Sequence, residues 1–173
     1  MNTQLSSLED KLAELYKGLP QLPENGRKTL ASWAPWLSLV FGVLSLLSAW
    51  WLYDWAGATN KLVDYANELS RAYGVTEAVS TSRFTVTVWL AIAVMAVEGV
   101  IYLLAFPKLK DRLKSGWDLL FLGALINVVY GVVVAFTNYG GVSSLFGTLI
   151  GTAIGLYFLF QIRSHFTPKA KKK

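Results

Sequence analysis

Between Phe84 and Pro107 the sequence runs for 24 residues with a single member of the Asp, Glu, Lys, Arg and His set, Glu98. A carboxyl placed inside so long an apolar run is costly, and by default it marks a functional position. Tyr102 follows one helical turn later, on a face shared with Ala91, Val94, Met95 and Ala105. Farther along, Asn127 is the one amide between Leu119 and Phe136, with Gly123 and Gly131 at i−4 and i+4. A short turn centred near residue 112 puts Glu98 14 residues before it and Asn127 15 residues after it. Antiparallel helices joined there hold the two side chains at one depth, where a direct hydrogen bond is expected. Tyr130 and Thr152 lie at depths that extend the network. Two chemistries follow. In one, Glu98 exchanges a proton or binds a cation while Asn127 and Tyr102 orient it. In the other, which is favoured, the pair is a neutral clamp between helices, a common use of polar side chains worth about 0.6–2 kcal/mol.

Such a pair needs helices that can hold it in an apolar medium. Thr29–Tyr53 is a run of 25 residues without Asp, Glu, Lys, Arg or His, and Leu119–Ile162 is a run of 44. One bilayer crossing takes roughly 20 apolar residues. The longest run, drawn as a single helix, would reach about 66 Å at 1.5 Å per residue. It must therefore fold back, and Thr137–Ser143 is where it does so, because Gly140 and Gly141 permit positive φ and Ser143 can cap the next helix. The expected fold is an all-α integral membrane protein, a four-transmembrane-helix bundle with spans near 34–53, 84–106, 118–137 and 143–162. Continuous rather than alternating apolar runs argue against a transmembrane β-barrel, and the lack of polar residues every third or fourth position argues against a soluble bundle.

Charge sets the orientation. Of the 16 Lys and Arg residues, 13 fall in 1–33, 107–117 and 163–173, and three lie between the first two spans. The positive-inside rule puts both termini and the middle loop on the cytoplasmic side of the cell membrane. Residues 1–33 read as an amphipathic helix over 7–17, opened by a Ser6/Glu9 capping box and closed by Gly18 and Pro20, then a stiff linker. Its mixed-sign polar face suits docking on the bundle or on a partner better than binding lipid. The outer loop, 56–83, repeats Leu62, Tyr65, Ala66, Leu69 and Tyr73 at helical spacing, with Gly74 as a stop. A second amphipathic helix lying on the outer face is expected there. Residues 163–173 form a basic tail. Lys108, Lys110, Arg112 and Lys114 in the middle loop, with Lys171, Lys172 and Lys173 in the tail, are expected to contact anionic headgroups.

Gly147, Gly151 and Gly155 recur at intervals of four and form one smooth stripe on the last span. Packing within the bundle is their expected use, as for Gly123 and Gly131, and self-association or a membrane-protein partner is the alternative. Other classes fall away by composition. The chain has no cysteine and one histidine, His165, so thiol chemistry, iron–sulfur clusters and cysteine-based zinc sites are excluded. No nucleophile–base–orienter set is assembled, so no enzyme, cofactor or metal is expected. The basic charge comes with no aromatic platform or motif for nucleic acid.

Arg27-Lys28 leading to Trp33-Ala34-Pro35-Trp36, Phe106–Lys110 with Ser115–Phe121, and Phe160–Ser164 together resemble a family of small uncharacterised four-span bacterial membrane proteins. The resemblance covers most of the chain and implies the four-span fold. It carries no activity.

Overall fold

The computed structural model describes residues 3–74, 86–137 and 142–167. The chain is helical: α1 is Thr3–Lys17, α2 Glu24–Ala72, α3 Val86–Lys110, α4 Lys114–Ala135 and α5 Val142–Ile162, with a 3₁₀ turn at Arg163–His165. Four of these helices, α2 to α5, are long and apolar enough to cross a membrane. The turn expected around Gly140 and Gly141, and Lys171, Lys172 and Lys173, lie outside the described residues.

α1 begins at Thr3, so Ser6 stands inside the helix rather than at its cap. Gly18 and Pro20 follow its end, as the breakers require. α2 starts directly after Pro23, with Glu24 in its first turn paired to Arg27 at 2.7 Å and Lys28 at 3.9 Å. It then continues for 49 residues, about 74 Å at 1.5 Å per residue. The separate outer helix expected after residue 56 is therefore a continuation of the first long helix. Between Trp55 and Gly74 the only strong breaker is Gly57, and one glycine costs a helix only about 1 kcal/mol. Gly74 lies just past the end, at φ 76°.

The four long helices pack as a row, each against its neighbour in sequence, while α2 and α5 touch only lightly. Close approach is made by glycine. A Cβ on Gly42 would meet the Gly99 carbonyl at 3.1 Å, and one on Gly99 would meet the Gly42 carbonyl at 3.0 Å. This brings α2 and α3 nearly backbone to backbone, and the Ser38 hydroxyl donates to the Tyr102 carbonyl at 2.6 Å beside it.

The core concentrates at the end of the row that carries both termini. There Ala31 and Ala34 of α2 meet Ala105 and Leu109 of α3, Trp117 and Phe121 of α4, and Leu159 and Ile162 of α5. The α3–α4 turn is pinned by the tail. Lys114 N–H donates to the Thr167 carbonyl at 2.8 Å and Thr167 N–H to the Arg112 carbonyl at 2.9 Å. Gly116 packs so tightly that a Cβ would come 2.7 Å from the Leu109 nitrogen.

Candidate functional site

Glu98 on α3 is buried, at 8% exposure. The Asn127 side chain of α4 stands close enough to interact with it, and the Asn127 amide reaches the Gly123 carbonyl of its own helix at 3.5 Å. Tyr102 and Tyr130 both stand close enough to interact electrostatically with Glu98. The Tyr102 ring lies over Gly123, where a Cβ would be 2.9 Å from it. The glycine is thus the notch that lets a tyrosine fit beside the carboxyl. Glu98 Oε1 is buried without a hydrogen-bond partner, so the carboxyl keeps an acceptor position in reserve.

Thr152 is half-buried on α5, and no hydrogen bond joins it to this cluster. The α5 threonine that meets α4 is Thr148, whose side chain fills the space over Gly131. Of the expected glycine face, Gly123 and Gly131 are in close contact. Gly147, Gly151 and Gly155 have open space around them. Their favoured use, packing inside the bundle, is not what the structure has: α5 turns Leu156 and Leu159 inward instead, because those larger side chains bury more apolar area against Trp117 and Phe121.

A second polar cluster, missed by the sequence reading, lies at the end that carries the termini. Glu9 is 1% exposed. Its Oε1 accepts from Lys114 Nζ at 3.0 Å and is ion-paired with Arg163 Nη2 at 2.6 Å. Lys114 also donates to Asp118 at 2.7 Å, and Arg163 to Asp10 at 3.2 Å. Both cations sit over the ring of the buried Trp117, at 5.1 and 5.8 Å. Trp117 in turn donates from Nε1 to the Leu159 carbonyl at 2.8 Å. Lys114, expected at a lipid surface, is thus engaged by two carboxylates of its own chain, Glu9 of the docked α1 and Asp118 one turn along α4. Arg112 takes φ 55° in the turn and lies over Phe166 at 5.7 Å. Lys108 is half-buried, and Lys110 is exposed.

The ion pairs dock α1 on α4 and on the 3₁₀ turn that follows α5. Tyr16 adds a hydroxyl bond to the Ala153 carbonyl at 3.1 Å and a stacked contact with Phe160 at 5.3 Å. Burial pushes the Tyr16 phenol above its ordinary value, which keeps it a donor. The following linker is held by Tyr157, whose hydroxyl donates to the Pro20 carbonyl at 2.6 Å, and by Gln161, which accepts from Leu22 N–H at 3.2 Å. The mixed signs of the polar face of α1 point to docking on the bundle but not to the partners: Glu9 borders the Leu8/Leu12 stripe. A carboxylate beside an apolar stripe needs a cation on the facing surface.

No protein-family model matches the chain, and no curated protein or solved structure matches it either.

Proposed function

We propose that the protein is a multi-pass component of the cytoplasmic membrane, with both termini on the cytoplasmic side, acting as an interaction or structural element through α5. The membrane reading rests on four long apolar helices and on 13 of 16 Lys and Arg residues lying in segments that one side would hold. The interaction reading is carried by one observation: α5 packs on α4 and leaves Gly147, Gly151 and Gly155 open. In a bilayer such a face lets a second helix approach closely, where association depends on van der Waals contact. On this reading the Glu98–Asn127 pair is the clamp that keeps α3 and α4 in register while α5 takes a partner.

Because the chain has no cysteine, single cysteines report neighbours without background. Gly147→Cys, Gly151→Cys and Gly155→Cys are expected to give oxidative dimers or larger adducts in native membranes, and Gly123→Cys none. Absence of every adduct from all three α5 positions would overturn the interaction role.

A second reading is favoured by the partnerless Oε1 of Glu98. In it, the carboxyl carries protons or monovalent cations, with Asn127 and Tyr102 orienting it. Proteoliposome flux measured for native protein and Glu98→Gln decides. Flux lost in a stably folded variant establishes transport, and no flux in either leaves the clamp.

A further inference from the structure

The end of the molecule where α1 docks carries an open cavity of about 560 Å³ whose charged lining is entirely cationic: Lys17 of α1, Arg27 of α2, Lys114 of α4 and Arg163 of the tail. Four separate chain segments bring these charges together. Convergence of like charges is unfavourable unless something compensates it. Glu9, Asp10, Glu24 and Asp118 stand behind the cations as counter-ions but do not line the cavity. The compensation is incomplete. Lys17 has no carboxylate partner among the described residues. Arg27 gives Nη2 to Glu24 while its Nε–H is buried with no acceptor.

We propose that this cavity binds a phosphoryl oxyanion. The requirement is for several acceptor oxygens carrying negative charge at one point, facing Lys17 and the Arg27 guanidinium, while Lys114 and Arg163, held by Glu9, Asp10 and Asp118, add positive potential. A tetrahedral phosphoryl group meets it, and arginine recognises such groups through paired N–H donors. Ser164 also lines the cavity and adds a neutral hydroxyl. The phosphoryl group has two sources, a phospholipid headgroup or a free phosphate ester. A separate cleft of about 310 Å³ on the α2–α5 seam, lined by Leu30, Ala34, Leu37, Phe158 and Ile162 among others, is one turn of α5 away and has the apolar character that an acyl chain requires. This site goes beyond the assembly role proposed above: its cationic cavity holds none of the α5 glycines, and only the neighbouring cleft is lined by one of them, Gly155.

The test is direct binding to the full chain in dodecylmaltoside, by calorimetry and thermal shift, with four probes: inorganic phosphate, glycerol 3-phosphate, dihexanoyl phosphatidic acid and dihexanoyl phosphatidylcholine. Dihexanoyl phosphatidic acid is expected to bind more tightly than dihexanoyl phosphatidylcholine. Arg27→Gln is expected to weaken that binding by roughly tenfold, in keeping with loss of a charge-assisted contact, and Lys17→Gln by less. Lys110→Gln, an exposed cation away from the cavity, leaves it unchanged. Glycerol 3-phosphate binding as well as the lipid assigns the site to a soluble ester, and binding of the lipid alone assigns it to a headgroup. Two results overturn the proposal: no phosphoryl probe binds the native chain more tightly than dihexanoyl phosphatidylcholine does, or Lys17→Gln and Arg27→Gln both bind as the native chain does. Lys17 makes no contact that the fold relies on, so its variant remains informative should Arg27→Gln fail to fold.

Discussion

Glu9 and Glu98 are both buried carboxyls on helices, and their surroundings differ in kind. Glu9 lies where four charged side chains from α1, α4 and the tail interlock over Trp117. Its charge is matched by two cations within 3.0 Å. Glu98 is met by an amide and two phenols, all neutral, and one oxygen has no partner. The first site ties a helix down by charge. The second holds a carboxyl among neutral groups, with no cation to fix its charge. Burial alone therefore does not separate a structural carboxylate from one available for chemistry; the charge of its neighbours does.

The contrast predicts unequal costs. Glu9→Ala removes the shared acceptor of Lys114 and Arg163 and is expected to destabilise the protein by about 3 kcal/mol, the scale for breaking a buried ion pair. Unfolding in detergent measures the loss, and limited proteolysis should show α1 released first. A neutral result would mean that Asp10 and Asp118 suffice for both cations. Gly116→Ala reaches the same region through the backbone. Its Cβ would press on the Leu109 nitrogen at 2.7 Å, for a cost of about 1–3 kcal/mol. Wild-type stability in that variant would show that the α3–α4 turn yields more easily than its tail pairing suggests. Glu98→Gln is the smallest change. The amide keeps the shape and a hydrogen-bonding group toward Asn127, so the expected loss is under about 1 kcal/mol. A loss on the Glu9 scale would erase the distinction between the two carboxyls.

What could be read from the sequence depended on how local its cause was. The long helices follow from uninterrupted apolar runs, and the depth match of Glu98 with Asn127 follows from a turn whose position the basic cluster marks. The end of α2 was harder. Asp54, Gly57 and Asn60 look like a boundary, yet none stops a helix whose spacing continues on both sides. Lys114 reads as a surface cation because its partner Glu9 is 105 residues away, joined to it only by the docking of α1. The glycines show the same limit. A four-residue repeat indicates a smooth face, but only neighbouring helices decide that Gly123 is covered and Gly151 is not.

The unbroken path of α2 has a mechanical consequence. Tyr53 meets Trp89 near the start of α3, with ring centroids 6.2 Å apart. The 16 residues from Gly57 to Ala72 run on from there, about 24 Å at 1.5 Å per residue. That length is a lever arm fixed to the span below it. A 10° change in the tilt of the span would carry the tip sideways by roughly 4 Å. A small rearrangement at the Gly42–Gly99 contact thus becomes a displacement at the far end, large enough for another molecule to sense.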